Sequence, residues 1–268
     1  MFHTEENIFR DIMTHLWLEG RACSPRGSKI KELEDFSITL PPFVRFMNFE
    51  ARKLSLPYIR REIRWYLRGN PFDASIDKHA KIWSHIRSEL GLVNSNYGQY
   101  IFAEKMINNV LATLAEDPDS RRASIMILNN QHLRELSSKD VPCTYAVNFR
   151  IRDEYLNMSV HMRSQDVWFG MGNDIPAFSF LQELMAAIIG VYPGTYHHAV
   201  DSLHVYERNW ESLEEIVNGS PWLGHITVPR ISGLREGHAL MEKRPDIRNQ
   251  FTKWLYQDHD VENGEPFP

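Results

Sequence analysis

The sequence predicts an α+β fold in a single domain spanning residues 1–268, built around a buried central helix. Three observations carry that expectation. Residues 144–151 and 155–163 are rich in β-branched and aromatic residues on either side of the turn-like Arg152-Asp153-Glu154, which is a hairpin pattern. Residues 178–189, FSFLQELMAAII, are apolar nearly all round, as a helix is when neighbours cover every side of it. Strand and helix patterns do not alternate regularly along the chain, so a doubly wound parallel sheet is not expected.

The elements follow in order. Residues 5–19 place Ile8, Ile12, Met13, Leu16 and Leu18 at near-helical spacing behind Thr4, an N-cap residue. Residues 24–31, SPRGSKIK, read as a turn. Residues 58–67 carry Ile59, Ile63, Tyr66 and Leu67 on one stripe, with Gly69 as the stop of an amphipathic helix. A further helix is expected over residues 102–115, closed by the turn EDPDS. The hairpin and the central helix come next, and residues 203–206 form a short strand. No repeat, low-complexity tract or Ser/Gly-rich linker divides the chain.

Composition narrows the class. Hydrophobic residues make up 43% and charged residues 24% of the 268, as in ordinary soluble globular proteins. No apolar run reaches the roughly 18 residues needed to span a bilayer. The longest candidate, residues 181–192, is interrupted by Gln182, Glu183 and Gly190. Two cysteines, Cys23 and Cys143, supply no disulfide framework, and the acid-bearing start MFHTEENIFRD lacks an apolar leader. A cytoplasmic protein without a membrane partner is expected. The net charge of −5 argues against coating nucleic acid and leaves room for a local basic pocket.

Several residues can carry chemistry, and each has an ordinary alternative. Cys143, in VPCTY, is either a small buried hydrophobe or a nucleophile, and the second role needs nearby positive charge to favour the thiolate. His197, His198 and His204 are not spaced so as to identify a partner for it. Arg121 and Arg122 follow a turn and would ordinarily be a solvated pair. With Arg26 and Arg163 they would make a phosphate site if the fold gathers all four. No P-loop and no strand–GxGxxG–helix is present. Glu62, flanked by Arg60, Arg61 and Arg64, reads as a salt-bridged helix residue. Asp166 and Asp174 flank VWFGM as loop residues or helix-entry acids. The histidines lack metal-ligand spacing, so no metal is expected.

The order of these pieces changes their weight. Arg26-Gly27, Glu62 with WYLRG, NSNYG, DPDSRR, Pro142-Cys143, MRSQDVWFG, NDI and LHVY succeed one another from Arg26 to Tyr206. In that order and spacing the chain resembles the thymidylate synthase superfamily over about two-thirds of its length. The resemblance implies a homodimeric α/β enzyme with a mixed sheet at the dimer interface. It would act on a pyrimidine nucleoside monophosphate with 5,10-methylenetetrahydrofolate as co-substrate. Cys143 would add to C6 of the base, Glu62 would organise proton transfers and water, and Tyr97 would lie near the C5 proton. Arg26 and Arg163 of one chain, assisted by Ser164, and Arg121 and Arg122 of the other would hold the phosphate. Asp166 and Trp83 would contact the folate, and His204 and Tyr206 the sugar hydroxyl. No metal and no direct contact with nucleic acid are implied.

Departures from the family pattern refine the expectation. Where thymidylate synthases carry an asparagine that reads O4 and N3–H of uracil, this chain has Asp174, with Asn173 one residue earlier. A carboxylate accepts from the N4–H₂ of cytosine and, when it carries a proton, donates to N3. That pattern resembles the phage-type deoxycytidylate hydroxymethylases, in which water captures the methylene intermediate. Thr144 stands where many thymidylate synthases have His, and no closing segment is recognisable after Glu207. The alternatives are a dUMP or dCMP methyltransferase, a CMP hydroxymethylase and a silent nucleotide-binding homologue.

Overall fold

The computed structural model describes residues 4–258. Helix α1 (Glu5–Glu19) begins at Thr4, whose hydroxyl accepts from the Asn7 N–H at 3.2 Å, and buries Phe9, Ile12, Met13 and Leu16. Leu18, expected on that stripe, is exposed, and Phe9 takes its place. The stretch expected as a turn holds more than a turn. After β1 (Arg21–Cys23) and a 3-10 turn at Pro25–Gly27, the 11-residue strand β2 (Ile30–Leu40) already begins at Ile30. Lys31, Glu32, Glu34 and Asp35 mask its alternation, and Asp35 sits at φ 54° in its middle.

Helix α2 (Leu56–Arg68) runs from the Ser55 cap to Gly69 at φ 61°. A Cβ at Gly69 would meet the Gly98 carbonyl oxygen at 2.8 Å, so conformation and space both require glycine there. Next come α3 (Lys81–Ile86), a π-helical turn over Gln99–Ala103, and α4 (Met106–Glu116), which therefore starts later than expected. They are followed by β3 (Ser124–Met126) and α5 (Asn130–Arg134). The expected hairpin forms as β4 (Thr144–Arg152) and β5 (Tyr155–Met162), turning through Asp153 and Glu154 at positive φ. The two-residue β6 (Gln165–Asp166) leads through a π-helical turn at Val167–Met171 into α6 (Gly172–Ile189).

Strand β7 (Tyr192–Tyr206) is 15 residues long where only residues 203–206 were expected. Its inward positions include Gly194, Tyr196 and His198, so burial alternates while hydrophobicity does not. Three helices close the described chain: α7 (Trp210–Val217), α8 (Leu234–Met241) and α9 (Gln250–Tyr256).

The sheet runs β1-β2-β7-β5-β4-β3, with β6 pairing β7 off that path. It is mixed, as expected: β7 is antiparallel to β2 and parallel to β5 and β6. α6 is the buried central helix, and Gln182 and Glu183 in its interior are both engaged. Gln182 Nε2 donates to the carbonyls of Leu156, Gly194 and Thr195 at 2.8–3.2 Å, which pins the helix to the sheet. Glu183 pairs with Arg45 and accepts from the Ile231 N–H at 3.1 Å.

The segment after β7 folds back on α2. Asp258 lies 2.9 Å from Arg60, 3.4 Å from Arg61 and 3.5 Å from Arg64. Lys243 Nζ donates to the Arg68 carbonyl at 2.6 Å, at the other end of the same helix. The buried Glu236 carboxylate accepts from Ser232 and Thr252 and so ties α8 to α9. Among the described residues no helix is long and apolar enough to cross a membrane. A closing segment beyond residue 258 falls outside the described residues.

Candidate active site

Cys143 stands at the mouth of β4. The Arg163 N–H donates to its carbonyl at 2.8 Å. The Arg163 guanidinium donates to the carbonyls of Pro142 at 3.0 Å and Val141 at 2.7 Å, so one arginine straps down the backbone that presents the thiol. Within the chain the surroundings do not favour the thiolate. Burial pushes the thiol above its ordinary value, and the Asp174 and Asp140 charges add to it. Arg163, and more weakly Arg26, pull it down. Arg121 and Arg122 are exposed and are not among the main charges acting on Cys143 within the chain.

Glu62 is buried on α2 and does not pair with its arginine neighbours, which corrects the salt-bridge reading. Arg60, Arg61 and Arg64 turn to Asp258 instead. The Tyr58 hydroxyl donates to Glu62 Oε1 at 2.8 Å and accepts from the Trp83 indole N–H at 2.9 Å. Glu62 Oε2 is buried with no hydrogen-bond partner. Burial, then the Asp174 charge, raise the carboxyl to about 8 despite the Tyr58 bond, so it holds a proton at neutral pH.

Asp174 lies in the first turn of α6 but does not cap it. Its Oδ2 accepts from Gln165 Nε2 at 2.9 Å. Gln165 Oε1 bonds His198 Nε2, and His198 Nδ1 bonds the Tyr196 hydroxyl at 2.8 Å. Burial raises Asp174 to about 7 against the pull of Gln165, and burial lowers His198 to about 3, which keeps it neutral. Asn173 is committed elsewhere, since its Oδ1 accepts from Arg52 at 3.3 Å. Arg52 packs so closely that a Cβ on Gly172 would lie 2.1 Å from its guanidinium.

The remaining candidates surround these groups. The Tyr97 ring stacks between Tyr66 at 5.6 Å and Phe178 at 5.9 Å, and the Asp174 and Cys143 charges both act on its phenol. Trp83 is half-buried, packs on Trp65 at 4.8 Å and reaches Glu62 through Tyr58. Asp166 caps the π-helical turn, accepting from the N–H groups of Trp168 and Phe169 at 3.1 Å. It pairs in register with the buried His204, whose ring meets Tyr206 edge-on at 5.0 Å. Ser164 is half-buried beside Arg163. The fold thus brings Cys143, Tyr97 and Glu62 each within electrostatic reach of Asp174 and leaves Arg121 and Arg122 on the outside. No group of three or more metal-ligating side chains is assembled among the described residues.

Two partial proton chains, Trp83–Tyr58–Glu62 and Tyr196–His198–Gln165–Asp174, were not anticipated from sequence. The first follows from i,i+4 spacing on α2 and is readable there. The second depends on recognising β7.

A half-buried thiol beside Asp174, with Glu62 in turn within reach of Asp174, suits covalent addition to an electrophilic ring with proton shuttling. The family model for thymidylate synthase matches residues 9–232 of the chain. The chain therefore belongs to the thymidylate synthase family, and is a folate-dependent one-carbon transferase acting on a pyrimidine nucleotide. It is 32% identical over 204 residues to the deoxycytidylate 5-hydroxymethyltransferase of Enterobacteria phage T4, covering 68% of this chain and 82% of that one. The enzyme of the same name from Enterobacteria phage T6 is 36% identical over 183 residues, covering 63% and 74%. The deoxyuridylate hydroxymethyltransferase of Bacillus phage SP01 is 29% identical over 216 residues, covering 74% of this chain and 56% of that one.

Proposed function

We propose that this chain is a deoxycytidylate 5-hydroxymethyltransferase, with residues 1–268 forming one catalytic domain. The observation that carries the reading is Asp174: a carboxyl with one oxygen held by Gln165 and the other free of protein hydrogen bonds, beside Cys143 and Tyr97. Cys143 Sγ adds to C6 of the base, and C5 then attacks the methylene carbon of 5,10-methylenetetrahydrofolate. The C5 proton leaves toward water near Tyr97, and tetrahydrofolate departs to give an exocyclic methylene. Water adds to that carbon, and expulsion of Cys143 Sγ releases 5-hydroxymethyl-dCMP. Glu62, protonated at rest, exchanges a proton with the base through its unpartnered Oε2. Asp166 and Trp83 hold the folate, and His204 and Tyr206 the sugar hydroxyl.

Arg26 and Arg163, with Ser164, hold the phosphate from one protomer, and Arg121 and Arg122 reach it from a second copy. The exposure of Arg121 and Arg122, away from their own Cys143, supports that division. In such a homodimer four arginines and a bound phosphate lie around the same site. No membrane or nucleic acid takes part, and the reaction belongs in the cytoplasm of a bacterial or phage-infected cell.

The second reading is hydroxymethylation of dUMP, favoured by the similarity to the phage SP01 enzyme. Mass spectrometry after incubation with methylenetetrahydrofolate and equimolar dCMP, dUMP and CMP separates the two. Gain of CH₂O on dCMP is the expected result. Modification of dUMP would give the site to the second reading, and gain of CH₂ would mean reduction instead of hydration. Failure of Cys143 to form an adduct with a 5-fluoro pyrimidine nucleotide would sink both readings.

A further inference from the structure

This inference rests on Asp174 as the reader of the base. A neutral carboxyl can satisfy either pyrimidine, depending on which oxygen holds the proton. With the proton on the oxygen facing N3, it donates to cytosine N3 and accepts from N4–H₂ through the other oxygen. With the proton on the oxygen facing the 4-substituent, it donates to uracil O4 and accepts from N3–H. Selecting one base therefore needs control over where the proton sits, beyond the presence of Asp in place of Asn.

We propose that Gln165, oriented by His198 and Tyr196, fixes Asp174 Oδ2 as the accepting oxygen and so makes the carboxyl complementary to a cytosine nucleotide rather than a uracil nucleotide. Gln165, His198 and Tyr196 are then positioning residues that act through Asp174. The geometry gives the chain one consistent polarity. The Tyr196 O–H donates to His198 Nδ1, His198 Nε2–H donates to Gln165 Oε1, and Gln165 Nε2–H donates to Asp174 Oδ2 at 2.9 Å. Every donor atom finds an acceptor.

The reverse polarity starts from a proton on Oδ2, turns the Gln165 amide over and has His198 Nδ1–H donate to the Tyr196 oxygen. The phenol proton then has no acceptor among the described residues, and Tyr196 is only 2% exposed, so water does not replace one. A neutral imidazole has one donor and one acceptor, so His198 transmits the polarity set at Tyr196. His198 is wholly buried and neutral, in keeping with this role. Under the cytosine reading Oδ2 is the oxygen facing N4–H₂. It has lone pairs for both Gln165 and the base, while Oδ1 carries the proton to N3.

The test measures Kd for dCMP and dUMP by calorimetry on the full chain and on Gln165→Leu, Tyr196→Phe, the double variant and Asp174→Asn. Gln165→Leu should lower the dCMP preference about tenfold, the weight of one buried hydrogen bond. Tyr196→Phe should shift the preference the same way by less. The double variant should match Gln165→Leu, because Tyr196 acts only through Gln165. If both nucleotides weaken equally in Gln165→Leu, the role is structural and the proposal falls. Independent, additive effects of the two substitutions would also overturn the relay. Gln165→Met replaces Gln165→Leu if the latter does not fold. Asp174→Asn keeps the two levels apart. If it leaves the preference unchanged, the base-reading assignment fails. If it shifts the preference to dUMP while Gln165→Leu does not, only the relay fails.

Discussion

Replacing Glu62 by Gln separates what this side chain does to the fold from what it does in the reaction. In the folded chain, burial and then the Asp174 charge raise the carboxyl from 4.5 to about 8, against a smaller pull from the Tyr58 hydroxyl. The unfolded chain returns it to the ordinary range near 4.5. The folded state therefore binds this proton more tightly. Its stabilising effect is full below about pH 4.5 and is lost as pH rises toward about 8. At about 1.36 kcal/mol per pH unit, the wild type should lose about 4 kcal/mol between pH 5 and pH 8.5 through this one group. Glutamine keeps the shape and does not titrate. The variant should accordingly gain on the wild type by about 4 kcal/mol over that range in urea unfolding, while product formation falls at least ~100-fold. Asp174, raised to about 7, contributes a slope to both proteins, so the difference between their curves isolates Glu62. A difference that stays flat from pH 5 to pH 8.5 would refute the buried, protonated Glu62 on which the reasoning stands.

Tyr58→Phe removes the bond that holds Glu62 down, so the basic limb of the kcat/KM profile should move to higher pH; movement to lower pH contradicts the assignment. Asp258→Asn removes the anion that Arg60, Arg61 and Arg64 share, and urea unfolding should show a loss of about 2–3 kcal/mol. An unchanged midpoint would mean that the tail does not brace α2. Cys143→Ser and Arg121→Ala should each be inactive alone and regain about a quarter of wild-type activity when mixed and allowed to exchange subunits. No recovery after exchange would place Arg121 at the site of its own chain.

How far the fold was legible depended on where polar residues lie. The hairpin, α1 and α2 follow their apolar spacing closely, because the apolar positions of each face the core. α6 reads as a buried helix despite Gln182 and Glu183, since both are satisfied internally by sheet carbonyls, Arg45 and the Ile231 N–H. β2 and β7 were obscured for opposite reasons. β2 carries charges along a strand near the sheet edge, whereas β7 places Tyr196 and His198 inward, where an apolar alternation was sought. The site followed the same logic. Cys143, Glu62, Tyr97 and Asp174 were found through an ordered resemblance. The groups that set their protonation were not, because Tyr58, Gln165 and His198 gain their roles only through contacts that the fold creates. The thiol shows the limit most clearly: the arginines near it were anticipated, but burial outweighs them within the chain.

The part of the chain with no recognisable motif, beyond Tyr206, has a physical task that follows from the part with motifs. Glu62 is buried and Asp174 half-buried, within electrostatic reach of each other, and the Asp174 charge pushes Glu62 up. Such an arrangement works against the fold whenever both ionise, so α2 and α6 must be held together by contacts elsewhere. Residues 234–258 supply them on the α2 side: Lys243 secures its C-terminal carbonyl, and Asp258 gathers the arginines on the helix turn around Glu62. α8 meanwhile packs against α6, where Gly237 comes so near that a Cβ would lie 2.8 Å from Ile188. One clamp therefore grips both helices that carry the acids. Its residues need only supply charge and close packing, which many sequences can do, so the clamp leaves no fixed signature while the acids it steadies do.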